Sequence, residues 1–189
     1  ERPGTGFSTP DSNLSFEQFA ATLETFLQRL SINQFSLIGY LSGGAYAMFC
    51  AARLKERVRH LTLVASRVPD LAPDDQVPQV ISAMQRRLAR NPWLLNAFLN
   101  ILRSRASHDL NKRLAMRVYG SVPADRRFLE THPAVLDHIG AYTIESVAVS
   151  ARGASADMRC FTLGQQCRIE DIEAPISVWH GKADLVADY

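Results

Sequence analysis

A serine lies in a glycine-rich segment early in the chain, Gly39–Gly44, whose sequence is GYLSGG. A G-x-S-x-G segment in which a strand turns sharply into a helix lifts a serine hydroxyl to the top of a sheet, where it can attack a carbonyl. Glycines flank the serine because the turn is crowded and a Cβ there would clash. The next backbone N–H, at the start of the helix, can stabilise an oxyanion. The segment therefore predicts nucleophilic acyl chemistry.

The segment fits this pattern in two registers. With the glycines aligned, Gly39 and Gly43 flank Leu41, which cannot attack a carbonyl. With the serine aligned, Ser42 precedes Gly44 by two residues, but a tyrosine replaces the first glycine and would strain the turn. Backbone geometry is the stricter demand, which favours the glycine register. Leu41 is then at the nucleophile position, and Ser42 is the nucleophile candidate of a shifted turn. The oxyanion N–H comes from the residue that follows the nucleophile, which is Gly43 if Ser42 attacks and Ser42 in the glycine register.

An acidic partner is predicted near the end of the chain. Asp184 follows an apolar strand and could hold a histidine in the right tautomer; the alternative is an aspartate that caps a turn. His180 ends the same strand and is interpreted as structural, and His60 precedes another strand. The other histidines are interpreted as surface or helix-end residues: His108, His132 and His138.

A parallel sheet is predicted to position these groups. Helical spacing of apolar residues with a Ser15 N-cap predicts a first helix, and an Ala-rich helix follows the glycine segment. Short apolar runs predict three buried strands. Strand, helix and strand at this spacing make a βαβ unit, hence an α/β fold. The predicted elements are a helix at 15–30, a strand at 35–40, a helix at 44–54, and strands at 61–66 and 176–180.

Roughly 100 residues separate the last two strands, far more than an ordinary loop. Helical pieces are predicted there, broken at Asn91-Pro92, at 120–123 and at His132-Pro133. The stretch from Met84 to Arg127 holds ten Lys or Arg against two Asp. This excess could attract an anionic substrate or an anionic membrane surface, or it is the solvated face of amphipathic helices. Its apolar residues from Trp93 to Leu102 could cover a site or pack on the core.

Composition excludes several function classes. A chain of 189 residues with 47% apolar and 21% charged residues fits a soluble globular domain, and a net charge of +2 argues against a nucleic-acid partner. The cysteines show no zinc spacing and suit a reducing compartment, so a cytoplasmic location is expected: Cys50, Cys160 and Cys167. No apolar run could span a membrane, and no signal peptide is recognisable.

Segments along nearly the whole chain, taken in order, resemble the cap-containing α/β hydrolases. Residues 1–8 resemble the family's D-R-P-G-x-G-x-S segment. Residues 36–66 resemble its nucleophile elbow, which is the sharp turn that carries the nucleophile, together with the strands on either side. Residues 172–184 resemble the strand that leads to the catalytic acid. The resemblance implies a hydrolase core at 1–66 and 173–189 and a helical cap at 67–172. It also implies an oxyanion loop upstream and a catalytic histidine downstream, so this chain is expected to be an internal fragment that is incomplete at both ends and inactive alone.

The implied function is hydrolysis of an ester or a related small acyl or carbonyl substrate, with no metal or organic cofactor. Ser42 would attack, Asp184 would orient the histidine, and Gly39, Gly43 and Gly44 would shape the elbow. Two alternatives remain: a ligand-binding or regulatory protein with a disabled elbow, or a fragment with no function of its own. A small-molecule substrate is the expected partner, and oligomeric state is left open.

Overall fold

The computed structural model describes residues 2–11, 13–66, 86–146, 151–163 and 167–184. The chain divides into two compact units. The helical unit comprises Glu1–Asn13 and Met84–Thr162, and the sheet unit comprises Leu14–Ala83 and Leu163–Tyr189. The predicted boundaries of core and cap stay a prediction.

The sheet unit contains a parallel three-stranded sheet, which confirms the predicted fold class. Its strands, in spatial order, are β1 (Phe35–Tyr40), β2 (Val58–Val64) and β3 (Ile176–Trp179). Tyr40 pairs with Val64, and Val64 with Trp179, so all three strands end at the same edge. Residues that follow these strands are therefore brought to one edge of the sheet.

Strand β2 begins three residues earlier than predicted. Phe35 pairs with Val58 but Ser36 pairs with His60, so Arg59 is an extra residue that bulges out of the ladder. This bulge breaks the alternation of buried and exposed residues and hides the start of the strand in the sequence. The expectation that His60 precedes the strand was therefore wrong, because His60 lies within it.

Two helices cover one face of the sheet unit's core. Helix α1 (Phe16–Arg29) begins as predicted at Ser15, whose side chain accepts a hydrogen bond from the Gln18 N–H. Helix α2 (Gly43–Leu54) presents small and apolar side chains to α1, β1 and β2. Met48 and Leu61 are among the most deeply buried large side chains of this core. The alternate positions of the strands remain exposed, including Ile38, Tyr40 and Trp179.

The helical unit contains α3 (Pro92–Arg105), α4 (His108–Tyr119), α5 (Pro123–Thr131), α6 (Pro133–Ser146) and α7 (Ala151–Leu163). Three of these begin with a proline, which suits the first helical turn and explains why the predicted breaks are correct. Helices α4 and α6 pack against each other. Together with α5 they form a small core of Ala115, Leu129 and Leu136. In the same unit, Arg2 and Asp157 form an ion pair of 2.8 Å.

The backbone is strained at the end of α2, where Lys55 has φ 38° and ψ −112°. A Cβ is unfavourable in this left-handed region and glycine is not. Lys55→Gly is therefore expected to raise the Tm of the chain by about 3 °C. Lys55→Ala is the control, since it also removes the exposed ion pair with Glu173 but keeps the strain. Equal Tm values for the two variants in thermal unfolding would contradict the expectation.

Candidate functional site

The turn between β1 and α2 has its sharp bend at Leu41, whose φ is 50°. The Leu41 N–H still donates to the Val64 carbonyl oxygen at 3.2 Å, so the backbone remains tied to β2 up to this residue. The Gly44 N–H then donates to the Leu41 carbonyl oxygen at 3.1 Å as α2 begins. A leucine at this φ stores strain, because only glycine adopts the left-handed region without cost.

Ser42 has a different backbone conformation. Its φ of −62° and ψ of −18° are right-handed helical values, and it is the N-cap of α2. Its side chain makes no capping hydrogen bond. Both Leu41 and Ser42 are half-buried. Of the two candidates named from the sequence, Leu41 therefore has the left-handed backbone and Ser42 the helical one.

The glycines of the turn differ in how much space surrounds them. A Cβ on Gly39 would lie 2.6 Å from the Gly44 Cα and 3.0 Å from the Ala47 Cβ. A Cβ on Gly44 would overlap the side chain of Ser66, with the Oγ 2.5 Å away. A Cβ on Gly43 would meet no atom within 4 Å. Close packing thus demands glycine at positions 39 and 44, and not at position 43.

Ser66 contacts the turn but was not predicted from the sequence as a site residue. It is buried, and its Oγ is 2.9 Å from the Gly39 carbonyl oxygen and 3.1 Å from that of Val64. The preceding Ala65 has φ 44° and donates its N–H to the Trp179 carbonyl oxygen at 2.8 Å. Nothing local in the sequence marks Ser66, because its partner in the turn lies on another strand. The Ser66 side chain packs the end of β2 against the turn.

His180 and Asp184 come together beyond the end of β3. The His180 Nε2 lies 3.5 Å from the Asp184 Oδ2, and the two side chains are 5% and 20% exposed. The Asp184 N–H donates to the Gly181 carbonyl oxygen at 3.0 Å, so the aspartate also closes a turn. Asp184 thus lies beside His180, the histidine that was interpreted as structural, and within a turn. The catalytic role of Asp184 stays a prediction.

Residues 1–115, more than half of the chain, match the family model of the alpha/beta hydrolase fold. This chain belongs to the α/β hydrolase fold family. A search among curated proteins finds no match to the sequence.

Solved structures support the fold of this α/β hydrolase chain. The enol-lactonase from Burkholderia xenovorans LB400 is 20% identical, with a TM-score of 0.66, over 98% of this chain and 62% of its own. MenH from S. aureus is 16% identical, with a TM-score of 0.64, over 96% and 63%. The bromoperoxidase from Bacillus anthracis is 17% identical, with a TM-score of 0.61, over 100% and 64%. The chain thus spans less than two thirds of the length of each of these proteins.

The other histidines of the α/β hydrolase chain have local partners. The His60 Nε2 lies 2.8 Å from the Ser177 Oγ across β2 and β3. His108 and Lys112 both contact Asp137, and these two groups, Lys112 first, hold the pKa of that carboxyl below its usual value. His138 is 2.7 Å from the Ala134 carbonyl oxygen, and His132 stacks on Phe128. These contacts agree with structural roles on helices and strands.

An open cleft of about 440 Å³ lies elsewhere on the sheet unit, beside the end of α2. Cys167 lines it with acidic and basic residues that include Lys55, Asp171 and Glu173. Burial, together with the nearby Asp171 charge, raises the pKa of the Cys167 thiol to about 11. The thiol is therefore protonated at neutral pH and is a poor nucleophile.

Two classes of feature are absent from the part of the chain that the structure describes. No group of three or more His, Cys, Asp or Glu side chains is placed to hold a metal ion there. The described helices also include none that combines the length and apolar character needed to cross a bilayer.

Proposed function

We propose that this protein binds a small acyl or carbonyl ligand at the turn between β1 and α2 without forming a covalent bond to it. The observation that carries the proposal is the left-handed backbone of Leu41. In α/β hydrolases the residue at the apex of this strained turn carries the nucleophile. The isobutyl side chain of Leu41 has neither a lone pair to donate nor a proton to transfer. The turn can therefore bind a ligand but cannot attack it.

Three features support Leu41 rather than Ser42 as the apex. Leu41 is the turn residue with positive φ, its N–H is the last one bonded to β2, and the crowded glycine stands two residues before it. Ser42 already has helical φ and ψ. The chain retains the strain at Leu41, which is on the order of 1–2 kcal/mol for a residue with a Cβ. Retained strain favours a turn that is still used as a binding site.

The start of α2 supplies the polar part of the proposed binding site. The first N–H groups of a helix have no acceptor within the helix, and they attract a partly negative oxygen. Gly43 opens α2, so its N–H is the predicted donor to the ligand's carbonyl oxygen. The Leu41 side chain would contact the ligand's apolar part. The fold neighbour named as an enol-lactonase supports an ester-type carbonyl as the ligand class.

Binding can be tested with ethyl butyrate and the unmodified chain by saturation-transfer NMR. Saturation is expected to pass from the protein to the butyryl protons, and to be lost in Leu41→Asp, which places a charge against the apolar chain. Ile38→Asp is the matched control, because Ile38 is an exposed residue of β1, three residues before Leu41 and outside the turn. Transfer that survives in Leu41→Asp, or that never occurs, would overturn the proposal. No butyrate should be released in any variant.

A second candidate function is hydrolysis by Ser42, which one observation favours. Ser42 is half-buried at the start of α2, and its side chain makes no capping hydrogen bond. The helix N-terminus would stabilise its alkoxide. Asp184 would then act through a histidine, and His180 is the histidine beside it. This reaction would form an acyl-enzyme on Ser42 that water hydrolyses.

A fluorophosphonate probe distinguishes the two candidates. We expect no adduct on the unmodified protein by intact mass spectrometry, because no activated hydroxyl stands at the apex. An adduct that disappears in Ser42→Ala and persists in Ser36→Ala would replace the binding proposal with the hydrolytic one. Ser36 is a suitable control because it is an exposed serine of β1.

A further inference from the structure

Helix α3 carries an apolar face that is exposed to solvent. Leu95 is fully buried and Leu99 partly so, and they form the side of the helix that packs inward. The adjacent side carries apolar residues at i, i+4, i+7 and i+8, which share one face of a helix. These residues are exposed, namely Leu94, Phe98, Ile101 and Leu102. Trp93, at the start of the helix, is 73% exposed.

The neighbouring helices do not cover this face. Helices α4 and α6 pack closely against each other, whereas α3 makes at most marginal contacts with the described helices of its unit. Burial of such side chains away from water is favourable. An exposed apolar face of this kind marks an interaction site.

The charges around this face have one sign. Residues 86–105, here called the basic helix segment, contain five arginines and no acidic residue. The arginines lie at both ends of the apolar stretch, at positions 86, 87, 90, 103 and 105, and all are exposed. Aromatic and aliphatic residues flanked by arginines are typical of helices that lie in the interface of a membrane.

We propose that the basic helix segment binds the surface of a bilayer that contains anionic phospholipids. The apolar side chains of α3 enter the boundary between headgroups and acyl chains, with Trp93 at the headgroup level. The arginines contact lipid phosphates, with which a guanidinium makes paired hydrogen bonds. A second copy of the chain fits this face poorly, because two segments that each carry five positive charges repel each other. The inference does not depend on the function proposed for the turn.

Tryptophan fluorescence of the whole chain provides the test. The protein has two tryptophans, so Trp179→Phe leaves Trp93 as the reporter. Vesicles of equal parts phosphatidylglycerol and phosphatidylcholine should shift its emission to the blue, and vesicles of phosphatidylcholine alone should not. The shift should weaken as salt is raised from 0.05 to 0.5 M, because salt screens the attraction. This salt titration needs no substitution within the segment.

Paired variants locate the interaction. Each arginine near an anionic surface strengthens binding by about fivefold, so Arg87→Gln/Arg90→Gln should weaken vesicle partitioning by about 25-fold. Arg113→Gln/Arg117→Gln is the matched control, since it removes the same charge from exposed positions on α4 and should change partitioning less than about threefold. Far-UV circular dichroism checks that each variant is helical.

Three results in the vesicle experiments would overturn the proposal, and a fourth would do so without lipid. The first three are equal binding to both vesicle types, an equal loss in the control variant, and a helical protein whose Trp93 emission no vesicle changes. Burial of Trp93 by self-association without lipid would also reject it in favour of an interface between copies.

Discussion

Gly39→Ala is expected to destabilise the sheet unit by about 3 kcal/mol. The new Cβ would lie 2.6 Å from the Cα of Gly44 and 3.0 Å from the Ala47 Cβ. The nearer atom belongs to the backbone of α2 and cannot rotate away, so the strand and the helix must separate. Separation would also stretch the hydrogen bond from the Leu41 N–H to the Val64 carbonyl oxygen, because that hydrogen bond holds the same turn against β2.

Gly43→Ala is the matched control for this prediction. It adds the same methyl group four residues later, at a place where no atom lies within 4 Å. Since Gly43 is the first residue of α2 and alanine has the higher helix propensity, we expect a change of at most about 0.5 kcal/mol, toward stabilisation. Urea unfolding followed by circular dichroism measures both, and hydrogen exchange of the Leu41 amide reports on the turn. Equal losses in the two variants would show that the crowding of Gly39 does not determine the turn.

The sequence predicts the elements around the turn because their signals are local. Ser15 marks the start of α1, and the prolines at 92, 123 and 133 mark the starts of three helices. The start of β2 is missed because the bulged Arg59 shifts the alternation by one residue. The predicted end of β2 extends two residues too far, since Ala65 leaves the extended region at φ 44° although alanine gives no sign of it.

The site is less predictable than the fold, because its decisive contacts join distant parts of the chain. The glycine pattern favours Leu41 at the nucleophile position but leaves Ser42 open, whereas the two residues differ clearly in their backbone angles. The role of Ser66 depends on the pairing of β1 with β2, because this pairing brings the Ser66 hydroxyl within hydrogen-bond distance of the Gly39 carbonyl oxygen. Similarly, the approach of Asp184 to His180 depends on the turn that follows β3.

Gly44→Ala should destabilise the sheet unit by about 3 kcal/mol, and Ser66→Gly should rescue it. A Cβ at position 44 would overlap the Ser66 Cβ and lie 2.5 Å from its Oγ, while the next atom, of Leu63, is 3.6 Å away at ordinary contact distance. Ser66→Gly removes both obstructing atoms. By itself it costs about 1–2 kcal/mol, because the Gly39 carbonyl loses a buried hydrogen-bond donor. The double variant should therefore be no less stable than Ser66→Gly alone.

A double-mutant cycle in urea unfolding measures this coupling, which we expect to be about 2–3 kcal/mol. Ser66→Ala is the decisive control, because it removes the hydroxyl but keeps the obstructing Cβ. It should lose the hydrogen bond to Gly39 and yet leave Gly44→Ala unrescued. If Ser66→Ala rescued as well as Ser66→Gly, the obstructing atom would be the Ser66 Oγ and not its Cβ. If neither variant rescued Gly44→Ala, the demand for glycine at position 44 would come from α2 itself, and Ser66 would act on the turn through its hydrogen bond alone.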